Sequence, residues 1–107
     1  MLNRAELIGR LGRNPDVRYT PEGKAIANLA LATTDTFRDP KSGQKNSHTE
    51  WHRIVLFGRQ AEIAGEFLKK GSLAYVDGRI RSRRWTNKDG VELTITELVG
   101  SHLTLLE

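Results

Sequence analysis

An all-β barrel carrying one helix is the fold class this sequence predicts, and three observations predict it. Stretches rich in β-branched, aromatic and alternating residues recur from Asn3 to Leu105, bounded by glycine, proline or Asn/Asp turns. Only Arg59 to Lys70 has a helical period, with Ile63, Ala64, Phe67 and Leu68 forming one apolar stripe. Asn87-Lys88-Asp89-Gly90 is a strong hairpin turn, because Asp-Gly accepts the positive φ angles such a turn needs. At 107 residues the chain is expected to form one domain, residues 1–107, with a core that needs no staples.

Taken in order, Asn3 to Gly12 reads as a strand with Ala5, Leu7, Gly9 and Leu11 in phase, its glycines suited to a bulge or a close backbone approach. Asn14-Pro15-Asp16 and Pro21-Glu22-Gly23 are turns around a short extended piece, Val17 to Tyr19. Lys24 to Thr34 has small and aliphatic residues on both faces, as a strand covered on both sides requires. Asp35 to His48 shows no period and predicts a long polar loop, containing Phe37, Arg38, Lys41 and Lys45. Thr49 to Gly58 is the central strand. After the helix come a long strand from Leu73 to Trp85, a returning strand from Val91 to Val99, and a short last strand holding Leu103 and Leu105. Hairpins with one helix favour a five-stranded Greek-key barrel of the OB type over an α/β fold, the helix lying between strands 3 and 4.

The two faces of the central strand differ in chemistry. His52, Ile54 and Leu56 share one, which suits a core; Trp51, Arg53, Val55 and Phe57 share the other. A guanidinium is seldom buried unless paired, so Arg53 argues for a solvent-facing surface bearing Trp51 and Phe57. On that strand alone, ordinary core packing of the two aromatics remains an equal reading. The long strand repeats the pattern. Arg79, Arg81, Arg83 and Trp85 are in phase, and burying three guanidiniums with too few acids to pair them costs several kcal/mol each. Net charge makes the same point. The stretch Arg79 to Lys88 carries five cations and no acid against a chain total of +4, leaving −1 for all other residues. A localised basic stripe interleaved with aromatic rings fits a single nucleic-acid strand, since rings stack bases at roughly 1–3 kcal/mol each and cations meet phosphates.

Other chemistries find little support. No cysteine is present, which excludes disulfides and thiolate metal sites. His48 and His52 are four apart, but on a strand that spacing does not chelate, so no metal or other cofactor is expected. Gly9-Arg10-Leu11-Gly12 mimics a GxxG clamp without the helices such a clamp needs. The acids are scattered and neither a nucleophile elbow nor a phosphate loop occurs, so the protein is not expected to be an enzyme. No leader opens the chain, and its longest near-apolar run, Ala25 to Ala32, is too short to span a bilayer. A cytoplasmic, nucleoid-associated location with no membrane role is the expectation.

Asn3 with Leu7 to Tyr19, Ala27 to Thr33, Thr49-Glu50-Trp51-His52-Arg53-Ile54-Val55-Leu56-Phe57-Gly58 and Arg83-Arg84-Trp85-Thr86 closely resemble the bacterial single-stranded DNA-binding protein family. The resemblance runs over nearly the whole chain. It implies an OB fold, usually a homotetramer around which single-stranded DNA wraps, acting in replication, recombination and repair. By position it implies base stacking on Phe37, Trp51, Phe57 and Trp85, and phosphate contacts from Arg4, Arg53, Arg59, Lys70, Arg81, Arg83 and Arg84. It places His52 at a subunit contact, and Tyr75, which precedes the basic stripe, is a second candidate for one. Phe37 stands where a tryptophan is common, and Leu93-Thr94-Ile95 replaces a more polar, tyrosine-bearing strand. The chain ends at Glu107 without the linker and acidic tip through which the family recruits replication and repair proteins, so such partners are expected only where a tail exists. A second reading is a tailless OB-fold module of the primosomal replication-restart type, dimeric and gripping other proteins. A third, an RNA chaperone of the cold-shock type, is disfavoured by the helix after Gly58.

Overall fold

The computed structural model describes residues 1–107 as six strands and one helix. The strands are β1 (Ala5–Leu11), β2 (Asp16–Tyr19), β3 (Ala25–Arg38), β4 (Lys45–Phe57), β5 (Leu73–Thr86) and β6 (Glu92–Leu105), with α1 (Arg59–Phe67) between β4 and β5. The sheet runs β1-β5-β6-β4-β3-β2, and a further β1–β3 pairing closes it. β2 is a short strand hung on β3, so five strands make the barrel and the helix follows the third of them, as predicted. All pairings are antiparallel except β4 with β6.

Closure depends on one close approach. β1 meets β3 at Arg10↔Ala32 and Leu11↔Leu31, and a Cβ on Gly9 would stand 2.1 Å from the Ala32 carbonyl oxygen. Only glycine admits that crossing. Inside the barrel Leu29, Leu31, Ile54, Leu56 and Val76 are fully buried, with Ala27, Ala74 and Leu98 filling between them. Ile54 and Leu56 thus take the core face the alternation predicts.

Four expectations need correction. The segment 35–48 is not a loop. β3 and β4 pair without interruption out to Arg38↔Lys45, leaving only a short turn. Almost every residue of this arm is exposed, so it has no buried side to impose a hydrophobic period. The helix ends at Phe67, because Leu68 is already extended. Its buried edge is Ala61 and Ala64, continued by Leu68, while Phe67 falls beside that edge and is 59% exposed. Val55 shares the outward face of β4 yet is buried, so that face is not open along its whole length. Finally, β6 is continuous to Leu105. A register shift opposite Asp77 and Gly78 skips Ser101, and this bulge disguises Leu103 and Leu105 as a separate strand.

Candidate nucleic-acid interface

Three adjacent strands build the basic aromatic face. Alternation puts Trp51 and Arg53 of β4 outward, and the register of β5 with β6 sets Arg81 opposite Glu97, Arg83 opposite Ile95, and Trp85 opposite Leu93. The parallel pairing of Ile54 with Leu98 brings Arg53 alongside Glu97. Trp51 is 60% exposed and Trp85 47% exposed, so both indoles face solvent and neither belongs to the core.

Three shallow depressions lie along this face. One holds Gly12, Arg13, Trp51 and Arg53; the second runs from Trp51 and Arg53 to Ile80 and Glu97; the third is lined by Arg53, Arg83, Trp85, Leu93 and Ile95. Arg53 borders all three and joins them into one groove. The groove has an indole toward each end and guanidiniums between.

The seat of Trp51 is prepared by small neighbours. Ala32 is its partner on β3, Ala30 is the next outward residue, and Gly12 lies beyond them, its N–H bonded to the Ala30 carbonyl at 2.9 Å. A Cβ on Gly12 would come within 2.3 Å of the six-membered indole ring, whose atoms are its three nearest neighbours. Gly12 has no positive φ, so its backbone does not require glycine. The missing side chain makes room for the ring.

The basic stripe is not short of acids, which corrects the sequence argument. Glu97 is buried on β6, its carboxylate accepting from Arg81 Nε at 3.0 Å, from Arg81 Nη2, and from Arg83 Nε at 3.3 Å. Burial alone would push the Glu97 carboxyl up, but the hydrogen bonds from Arg81 and Arg83 outweigh it and hold the carboxyl below its ordinary value. Sequence reading missed Glu97 because it is 16 residues from Arg81 along the chain. The signal was present: folding the chain about the turn at Asp89 sets Arg81 opposite Glu97.

The remaining site residues are spread more widely. Phe57 is on the same outward face as Trp51, 46% exposed, six residues further along β4 and roughly 20 Å away at strand spacing. Phe37, 53% exposed, pairs with Asn46 on the β3–β4 arm; alternation sets it on the opposite face of that arm from Trp51. Arg84 points away from Arg83 and pairs with Glu92 at 3.3 Å. Arg59 pairs with Glu62 in the first turn of α1, and Lys70 follows the helix, its backbone N–H donating to Asn14. Arg4 lies before β1, 3.3 Å from Asp77.

Of the two subunit-contact candidates, His52 is half-buried with Nε2 2.8 Å from the Thr33 hydroxyl. Tyr75 donates to Asp77 at 2.6 Å, and His102 Nδ1 is 2.9 Å from the same carboxylate. The hydrogen bonds from Tyr75 and His102 lower the Asp77 pKa, and the bond to Asp77 raises that of Tyr75. No cluster of three or more metal-ligating side chains occurs, and no helix is long and apolar enough to cross a membrane.

Comparison with known proteins bears on the family and the fold. A family model described as the single-strand binding protein family matches residues 2–106. The chain is 50% identical over 105 residues to "Single-stranded DNA-binding protein 1" of Xylella fastidiosa (strain 9a5c), spanning 98% of this chain and 77% of that protein. A solved Plasmodium falciparum SSB complex with ssDNA superposes with a TM-score of 0.89 at 33% identity, covering 100% of this chain and 97% of that one. The single-stranded DNA binding protein from Thermus aquaticus, solved as a deletion mutant, gives 0.82 at 44% identity, with this chain spanning 51% of its length.

Proposed function

The chain belongs to the single-strand binding protein family, and from that premise we propose that it coats and protects unpaired DNA with little regard to sequence. The observation that carries this reading is the single groove on which Trp51, Arg53, Arg83 and Trp85 lie together with both indoles exposed, Arg81 being tied to Glu97 in its floor. Bases of any identity stack on an indole, and phosphates of any sequence meet a guanidinium, so the site grips a strand without reading it. A duplex offers no free base faces and gains only the electrostatic part. The work is binding, not catalysis.

Arg4, Phe37, Phe57, Arg59, Lys70 and Arg84 extend the reading beyond the groove. They mark a path longer than one groove, along which a strand wraps from the arms over the barrel. A homotetramer gives such a path its length. In support, Ile8, paired with Tyr75 across β1 and β5, is 59% exposed, a large apolar side chain left uncovered on the outer face. Action in replication, recombination and repair, in the nucleoid-bearing cytoplasm, follows from the same reading. The replication-restart alternative gains nothing from the family match.

Titration with labelled oligo-dT, its RNA counterpart and a duplex, on a sample of measured mass, tests this. The expected result is preference for single-stranded DNA, a mass of about four chains, and affinity falling with salt at a log–log slope of about −0.7 per phosphate neutralised. Equal affinity for duplex, or a flat salt response, would overturn the binding mode. A mass of two chains would overturn the tetramer.

A further inference from the structure

A buried carboxylate in the floor of a polyanion-binding groove looks counterproductive. Glu97 removes one positive charge from the strip that must meet phosphates, and its side chain is only 4% exposed. Yet it is the one group to which Arg81 and Arg83 are both tied, and Arg81 binds it through two nitrogens. Arg83 then lines the depression that ends at Trp85, while Glu97 borders the depression that begins at Trp51. Arginine side chains are long and lose much rotamer freedom on being fixed.

We propose that Glu97 is a positioning residue for DNA binding, which trades one unit of groove charge for two guanidiniums held in place between the stacking platforms before the strand arrives. Each guanidinium has five N–H donors, so donors beyond those given to Glu97 stay free for a phosphate. The ordering cost of these side chains is met on folding and not on binding. The inference rests on the single-stranded DNA reading of the groove.

Charge and position make opposite predictions for Glu97→Gln. Removing the anion adds one net positive charge, so the salt slope steepens by about 0.7. If Glu97 positions the arginines, affinity extrapolated to 1 M salt, where charge is screened, falls at least about fivefold, the cost of ordering two long side chains at the interface. The two log–log lines then cross. If Glu97 matters only as a charge, the variant binds as tightly as wild type at 1 M salt and more tightly below it, which overturns the proposal. Glu97→Asp keeps the charge but shortens the reach by one methylene. Its expected behaviour is weaker binding with an unchanged slope, and wild-type affinity overturns the proposal.

A wild-type measurement covers the case in which neither variant folds. NMR is expected to show the Arg81 and Arg83 Nε–H groups protected from exchange in the DNA-free protein, and Arg53 Nε–H averaged with solvent. Averaged signals from Arg81 and Arg83 contradict the proposal. Wild-type protein that fails to bind oligo-dT sinks the underlying reading instead, so the two failures are separable.

Discussion

Two hairpin arms leave the barrel, and they hold their cations differently. On the β3–β4 arm, Lys41 and Lys45 make no ion pair, and Arg38 donates only to the Gly43 carbonyl at 3.2 Å. Its side-chain ties are a neutral cross-strand bond between Thr34 and Thr49 and a local contact along β4 between His48 and Glu50. On the β5–β6 arm, Arg81 and Arg83 are drawn onto buried Glu97, and Arg84 is paired with Glu92. The first arm is a solvated set of charges that can adapt to a strand; the second is a prepared surface. Ordering therefore falls on binding in one arm and on folding in the other, and the prepared arm should dominate affinity where salt has removed the long-range attraction.

The largest expected effect is at the two platforms that flank the prepared surface. Replacing both Trp51 and Trp85 by alanine should weaken oligo-dT binding roughly a hundredfold or more, at about 1–3 kcal/mol for each lost stack. A loss below tenfold by anisotropy titration would move the binding path elsewhere. Next come the cations. Arg81→Gln with Arg83→Gln should lower affinity at every salt concentration, whereas Lys41→Gln with Lys45→Gln should lower it at low salt and converge on wild type near 1 M. Equal behaviour of the two pairs would erase the distinction between the arms.

A smaller effect is expected at Gly12. Gly12→Ala should cost about fivefold in affinity by tilting the Trp51 indole, with the fold unchanged by circular dichroism. In a Trp51→Phe background, where the ring is shorter, Gly12→Ala should bring no further loss. A fivefold loss persisting in that background would show that Gly12 acts through something other than the ring.

The smallest effect is on stability. Asp77 and Glu97 titrate below their ordinary values of 3.8 and 4.5, so the stability they add is fully present above those values and is lost as pH falls through their lower folded-state pKa values. Urea midpoints should therefore drop as pH is lowered below about 4.5. Asp77→Asn and Glu97→Gln should each flatten that drop, and an unaltered acid limb in both would mean that neither bond survives in solution.

The barrel was legible in the sequence because its strands have one buried side: Ile54 and Leu56 alternate with Arg53 and Phe57, and the Asn87–Gly90 turn announced its hairpin. The β3–β4 arm was not legible. Strands exposed on both faces carry no hydrophobic period, and their pairing, Thr34 with Thr49 or Arg38 with Lys45, exists only across the hairpin. The same limit hid Glu97. Counting acids within Arg79 to Lys88 found none, while the sheet register supplies one from the neighbouring strand. Gly12 was visible only as a pattern of glycines, and its role depends on an indole two strands away. Local composition reported what the groove is made of, and strand pairing decided how it is arranged.

The central claim is that Trp51 and Trp85 are stacking platforms on one groove, and tryptophan emission reads it directly. Trp51→Phe and Trp85→Phe variants, each with one indole left, should both lose emission as oligo-dT is added, reaching a plateau at the stoichiometry found by mass. Emission unchanged in either variant at an oligonucleotide concentration shown to saturate the protein would contradict the account.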